Sequence, residues 1–319
     1  MKNETKYDIF ADVKWQRNSY DILVAFILTI LIVTSVCGNA LVCLAFTLVK
    51  ELRTTTNYFI CSLALSDLIV GLVSTPVWLC WRMGIFPASF TSTVMGLTVN
   101  SVDMIGGVSS IGNLSAISID RYFGIVYPLK HRCGMTKKKA LVGVICAWVY
   151  GIGFAVVFWV HALPISYFPV YTIIVAWGMP LIVMTTAYSI IFHTIRQSFL
   201  QASTLVKKEW KIAKTLILVT CLFALSWLPF FIYMILLHHC TQCQDFFQGH
   251  SYILTITKVL HFGNSSINPL VYAIFNKQFR SAFKKVLCCN ILERQNSRFN
   301  HQSDSKISSD LAVVSTAKL

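Results

Sequence analysis

FTSTVMGLTVNSVDMIGGVSSIGNLSAISIDRY, residues 90–122, decides the architecture. Up to its last three residues it carries a single charged side chain, Asp103. At ~1.5 Å rise per residue, a helix of this length exceeds the ~30 Å of hydrocarbon in a bilayer. The stretch closes on Asp120-Arg121-Tyr122, adjacent opposite charges at the end of a long apolar helix, where the chain is expected to meet water. An ion pair at such a boundary reads as a switch. Asp103 precedes Arg121 by eighteen residues, about 27 Å at ~1.5 Å per residue, and so falls near the opposite membrane face. One helix therefore carries a candidate sensor and a candidate output.

The rest of the chain has the same character. Of its 319 residues, 55% are hydrophobic and 13% charged, and the mean hydropathy is +0.64, which excludes an ordinary soluble domain. Runs long enough to span a bilayer fall at 20–48, 56–82, 90–122, 139–161, 169–195, 211–238 and 251–275. The expected fold is an all-α membrane protein, a seven-transmembrane helix bundle forming one domain. Basic residues collect after the odd-numbered spans: Lys50 and Arg53; Lys130, Arg132, Lys137, Lys138 and Lys139; Arg196, Lys207, Lys208, Lys211 and Lys214; Lys277, Arg280, Lys284 and Lys285. The opposite loops hold little besides Arg82. Basic loops resist translocation, so the N-terminus is expected outside and the C-terminus in the cytosol of a multi-pass plasma-membrane protein. Topology and anionic lipid headgroups account for the net charge of +14, and no nucleic-acid partner is needed.

Four regions follow. Residues 1–19 form an extracellular N-terminus, in which Asn3-Glu4-Thr5 fits a glycosylation sequon, and 20–275 form the bundle. Residues 276–289 form a short amphipathic helix eight, with Phe279, Phe283 and Val286 on one face and Lys277, Arg280, Lys284 and Lys285 elsewhere. Cys288 and Cys289 follow it directly, placed for palmitoylation or left as free thiols. Residues 290–319, rich in Ser, Asn and Gln, are expected to be a disordered cytoplasmic tail. Its serines can accept phosphate or serve as a solvated linker. Most of the eleven cysteines sit in apolar helices as packing residues, but Cys240 and Cys243 share a loop on the oxidising side, where a short-range bridge can form.

Ionisable groups in hydrocarbon are costly and call for a partner, a cavity or a function. Asp67, Ser110, Asn264, Ser265 and Asn268 can meet mid-bundle, with one negative charge and several oxygen ligands. That set suits a sodium ion as a modulator, or a hydrogen-bonded network with no ion. Pro180, Trp227-Leu228-Pro229 and Asn268-Pro269 place helix breakers inside spans, where a kink or hinge can form. Glu209, at the inner end of the sixth span, is a candidate partner for Arg121, or a solvated surface charge.

In order along the chain stand Gly38-Asn39, Leu63-Ala64-Leu65-Ser66-Asp67, Asp120-Arg121-Tyr122, Trp148, Pro180 with Tyr188, Phe223 with Trp227 and Pro229, and Asn268-Pro269 followed by Tyr272. This set resembles the rhodopsin-like class of G-protein-coupled receptors from the first span through the short amphipathic helix. The resemblance implies that agonist contact near Trp227 repacks Pro180, Ile111 and Phe223, swings the sixth helix outward and frees Arg121 from Asp120 and Glu209. Tyr188 and Tyr272 then steady Arg121, and a heterotrimeric G protein is engaged in the opened cleft. It also implies arrestin and a receptor kinase as partners of the tail, matches the polar cluster to the family's sodium site, and leaves no other cofactor required.

For the ligand, the resemblance is nearest to biogenic-amine and trace-amine receptors. Asp103 stands where those receptors hold an ammonium, Trp227 to Phe231 reads Trp-Leu-Pro-Phe-Phe, and Thr172 can bond a ring substituent. A carboxylate in a pocket of low dielectric is a strong partner for a cation, and Phe230 and Phe231 can stack on an aromatic amine or serve only as core. Three features depart from that subgroup. Lys258 lies one turn outside Phe262, where its ammonium can neutralise Asp103 and turn the pocket toward a zwitterion or an anion. Gly96 replaces the cysteine of the family's bridge, and the segment from Ala162 to Phe168 offers no partner cysteine. The link between the fourth and fifth spans is also short. Peptide, lipid and acidic ligands therefore remain open. A retinal Schiff base is disfavoured because the opsin lysine aligns with Phe262. A transporter or channel is the reading from another class, but internal repeats are missing, as are the motifs of a hydrolase, a zinc enzyme or a nucleotide-binding enzyme.

Overall fold

The computed structural model describes residues 20–87, 89–90, 93–160, 167–198 and 204–288, with side chains left aside at 198, 204–213, 244–245 and 248–249. The sequon at Asn3, the carboxylate of Glu209, Cys289 and the tail from 290 lie outside the described residues. Regular structure among the described residues is helical throughout. Six helices are long and apolar enough to cross a bilayer: Asp21–Leu48, Thr55–Arg82, Val94–Val126, Lys137–Trp159, Phe168–Gln197 and Lys214–His239. The sixth begins earlier, at Thr204. Tyr252–Phe275 is of similar length, at 24 residues, but Lys258, His261, Asn264, Ser265, Ser266 and Asn268 lower its apolarity. Packed between the first and sixth helices, it completes a seven-helix bundle.

Local chemistry sets the ends. Thr54, Thr93 and Thr136 each stand in extended backbone ahead of a helix, and each hydroxyl accepts from the backbone N–H three residues on, at 3.4, 3.1 and 3.3 Å. Asn276 does the same for helix eight, Lys277–Leu287, accepting from Gln278 N at 3.0 Å and Phe279 N at 3.4 Å. The Thr93 cap moves the start of the third helix from 90 to 94, and its far end runs to Val126, a turn past Tyr122. Asp120 and Arg121 thus lie inside the helix, 3% and 6% exposed, and do not meet open water as the sequence suggested. Short helices also form at Pro128–Gly134 and Thr241–Gly249.

Two helices widen locally to i→i+5 pairing, at Val70–Ser74 and Thr172–Gly178. Each segment closely precedes a proline, Pro76 and Pro180. A proline lacks the N–H for its own i−4 bond, and its ring crowds the i−4 carbonyl, so the ladder loosens in the preceding turn. Hydroxyls in the spans bond back to carbonyls of their own helix, as Thr29 does to Ala25 O at 2.8 Å and Ser226 to Leu222 O at 2.7 Å. That satisfies them where water is missing.

The third helix is the hub, in contact with the second, fourth, fifth and sixth. Lipid tails are as apolar as leucine, so helix association depends on close packing by small residues. A Cβ built on Gly151 of the fourth helix would lie 2.3 Å from Ser109 Oγ and 2.9 Å from Ile105 O, so only glycine permits this approach. Trp148 Nε1 donates to Ser62 Oγ at 3.0 Å and ties the fourth helix to the second. Large apolar side chains such as Ile22, Phe26, Ile30, Val33, Val149 and Ile182 face outward, as a lipid-facing surface requires. Arg82, read from sequence as a lone loop charge, is buried. Its guanidinium pairs with Asp21 Oδ1 at 2.6 Å and donates to Thr255 Oγ1 at 3.2 Å, which joins the first, second and seventh helices.

Candidate functional site

At one end of the bundle Asp103 looks across from the third helix to the seventh, where Lys258 and His261 share a face at i and i+3. Lys258 Nζ donates to Asp103 Oδ2 at 3.2 Å, and the two side chains are 5% and 15% exposed. The ammonium also lies 4.6 Å from the centroid of Phe230 and 5.2 Å from that of Phe262, in cation–π range of both. His261 Nε2 stands 3.8 Å from Asp103 Oδ1, beyond hydrogen-bond length. Asp103 Oδ1 and both imidazole nitrogens are buried with no hydrogen-bond partner among the described residues. His261 was not singled out from the sequence, although its three-residue spacing from Lys258 was the available signal.

The pair stands between two cavities. One lies among the third to seventh helices and is lined by Asn100, Met104, Phe154, Phe168, Thr172, Trp227, Phe230 and Phe231 beside Asp103, Lys258 and His261. The other lies toward the second helix among Trp78, Trp81, Phe90, Gly96, Val99, Asn100 and Phe262, again beside Asp103 and Lys258. Trp227 forms part of the first cavity's wall, its ring 4.0 Å from His261 and 5.5 Å from each of Phe231 and Phe223. On its other side Trp227 presses on Gly107, where a Cβ would come within 2.5 Å of the indole. Thr172 faces the first cavity, but its hydroxyl proton goes to Phe168 O at 2.8 Å, which leaves the oxygen as an acceptor.

Beneath this region Asp67 is fully buried. Its Oδ1 accepts from Ser265 at 2.8 Å and Ser110 at 3.2 Å, and its Oδ2 accepts from Asn268 Nδ2 at 2.7 Å. Ser110 also meets Ser66 at 2.7 Å, and Asn39 Nδ2 reaches Ser265 O at 2.9 Å. Asn264 Oδ1 is buried with no hydrogen-bond partner among the described residues. The Asp67 carboxylate with the Ser110 and Ser265 hydroxyls on it offers oxygen ligands of the kind a small hard cation takes.

Ile111, Phe223, Trp227, Phe231, Tyr188 and Tyr272 belong to one continuous apolar core that carries contact from the cavity to the opposite end, with Pro180 buried beside it. There Asp120 Oδ2 accepts from Arg121 at 2.7 and 3.2 Å and from Thr56 Oγ1 at 2.6 Å, and Arg121 Nη2 bonds Thr56 Oγ1 as well. His131 Nε2 lies 2.7 Å from Asp120 Oδ1. Neither Thr56 nor His131 stood out in the sequence, because the latter reaches Asp120 only when Pro128–Gly134 folds back as a helix. Tyr122 packs edge-on against Phe123 and Tyr127, with centroids 5.1 and 6.0 Å apart, and takes no part in the ion pair. Tyr272 stacks on Phe279 at 5.5 Å and couples the seventh helix to helix eight. Cys240 and Cys243 are disulfide-bonded just beyond the sixth helix, and Cys288 is exposed at the end of helix eight.

The family model described as 7 transmembrane receptor (rhodopsin family) matches residues 38–272. The chain is 26% identical to the octopamine receptor beta-2R of Drosophila melanogaster, over 87% of this chain and 63% of that receptor's length. It is 28% identical to a QRFP-like peptide receptor of Branchiostoma floridae, over 82% of this chain and 76% of the relative, and 28% identical to the histamine H2 receptor of Cavia porcellus, over 85% and 81%. The names span two amines and a peptide, so likeness alone does not choose a ligand. The match covers nearly all of a seven-helix bundle in which a buried carboxylate faces a cavity at one end and a buried Asp-Arg pair lies at the other, and the chain belongs to the rhodopsin family of seven-transmembrane receptors.

Proposed function

We propose that this receptor, which is not an enzyme, binds a small extracellular ligand bearing an amine in the cavity beside Asp103 and, on release of Arg121, promotes nucleotide exchange on a heterotrimeric G protein. The observation that carries the ligand reading is Asp103 Oδ1, a buried carboxylate oxygen with no hydrogen-bond partner among the described residues, in a cavity walled by Trp227, Phe230 and Phe231. A buried acceptor left unmade is costly, and a ligand N–H restores the bond. The octopamine and histamine relatives agree with this reading. The Lys258–Asp103 pair favours a second one, in which the ligand carries negative charge, as an acidic, peptide or lipid molecule would. The asymmetry of Lys and Arg between the loops supports an extracellular N-terminus at the plasma membrane. Family resemblance supports arrestin and a receptor kinase as partners of the tail, and the amphipathic pattern of helix eight supports contact with membrane lipids, with palmitoylation at Cys288 and Cys289 as an added anchor. The test is guanine-nucleotide exchange on added G proteins in membranes bearing the full chain. Exchange that no ligand or switch variant alters would remove the proposed coupling to a G protein.

Sodium is proposed at Asp67, Ser110, Ser265 and Asn264, with Asn268 holding the carboxylate in place. An ion that fits only the closed bundle lowers resting exchange by mass action. Resting exchange is expected to fall when sodium replaces a large organic cation at constant ionic strength, and Asp67→Asn is expected to abolish the difference. An equal response in both proteins would leave Asp67 as the centre of an ion-free network.

A further inference from the structure

The charges around Asp103 select the ligand more narrowly than its carboxylate alone. Resting on the receptor reading above, we infer that the ligand is a zwitterion, an aromatic α-amino acid whose ammonium takes Asp103 Oδ1 while its carboxylate takes Lys258 and His261.

The argument is one of charge and vacant hydrogen-bonding positions. The pocket holds one carboxylate and one ammonium in contact at 3.2 Å, together with an imidazole whose two nitrogens have no hydrogen-bond partner among the described residues. A simple amine that binds Asp103 brings a second cation into a site with a single anion, and either displaces Lys258 or stands beside it. Removing the partner from a buried charge costs the equivalent of a hundred-fold or more in an equilibrium constant, roughly, and more than one cation–π contact returns. A simple acid meets the mirror problem, with two anions sharing Lys258. A zwitterion brings one charge of each sign and leaves the pocket's net charge unchanged. Its ammonium finds Asp103 Oδ1, its carboxylate faces the positive charge of Lys258, and His261 supplies a donor. The two protein charges are close together, so a ligand whose own charges are separated by a single carbon can bridge both, whereas widely spaced charges cannot. The aromatic wall of Trp227, Phe230 and Phe231 then suits a ring on that carbon.

The experiment is nucleotide exchange in membranes bearing the full receptor. The probes are phenylalanine, tyrosine, tryptophan and histidine, each beside its decarboxylated amine and its deaminated acid. At least one amino acid is expected to act at a concentration roughly 100-fold below its amine and its acid, by the charge argument above. Lys258→Gln is expected to reverse the order in favour of the amine, and Asp103→Asn in favour of the acid. Asp120→Asn, which loosens Arg121 at the far end of the bundle, serves as the ligand-independent control. An amine at least as potent as its amino acid on the unaltered receptor overturns the inference, as does silence toward every amino acid while Asp120→Asn raises exchange. No rise with Asp120→Asn and no response to any probe overturns the receptor reading itself.

Discussion

Asp103→Asn is expected to lower the apparent melting temperature of the unliganded receptor by roughly 5 °C, and Asp103→Asn combined with Lys258→Met to recover most of that loss. The single change removes the anion facing a side chain that is 5% exposed, and breaking one partner from a buried pair costs about 3–5 kcal/mol. Phe230 and Phe262 hold the ammonium by cation–π contact, which offsets about 2 kcal/mol of this when desolvated. The net penalty is then about 1–3 kcal/mol, at ~2–4 °C per kcal/mol for a chain of this size class. Methionine has a similar length and an apolar, polarisable stem, so in the double variant nothing charged remains to be compensated and the two rings keep a neighbour. The check is thermal unfolding of the purified receptor in detergent. Equal stability of the single and double variants would show that Lys258 draws nothing from Asp103 in the resting state.

The bundle was legible because a bilayer admits so few backbone solutions. Once seven apolar runs are counted, helices follow from the need to satisfy every peptide group internally. Bounds were less legible, since they depend on single caps. Thr93 moves the third helix by a turn, and the continuation to Val126 draws Asp120 and Arg121 inward, out of the water in which sequence had placed them. The cluster around Asp67 could be assembled from spacing, because its members sit at matching depths on helices that must adjoin. The fate of Arg82 could not. Near a loop it looks like any solvated charge, and only the fold brings Asp21 to it from the first helix. His261 falls between these cases, on Lys258's face in the same helix yet not singled out, because spacing alone does not show that this face turns toward Asp103. His131 was invisible for a different reason, because its contact with Asp120 requires the chain to turn at Pro128 and fold a short helix back under the third.

That contact sets the second large expectation, which concerns resting activity. Asp120→Asn is expected to raise ligand-independent nucleotide exchange roughly tenfold or more, and His131→Ala and Thr56→Val to raise it several-fold each. Asp120 accepts from Arg121, Thr56 and His131 within 3.2 Å, and Thr56 bonds Arg121 as well, so three groups hold the guanidinium in its closed position, Asp120 and Thr56 directly and His131 through Asp120. Asparagine keeps the shape but loses the charge, and a hydrogen bond to a charged group contributes ~1.5–3 kcal/mol. If those bonds exist only in the closed bundle, their loss shifts the closed-to-open ratio by the same amount, tenfold per ~1.4 kcal/mol. His131 or Thr56 alone removes one support of a carboxylate that keeps the others, worth about 1 kcal/mol. Because His131 acts through Asp120, its effect should vanish in the Asp120→Asn background, whereas Thr56 keeps its direct bond to Arg121 there. Persistence of the His131→Ala effect in that background would place its action elsewhere, and an unchanged exchange rate in all three single variants would mean that the cluster holds the fold without gating it.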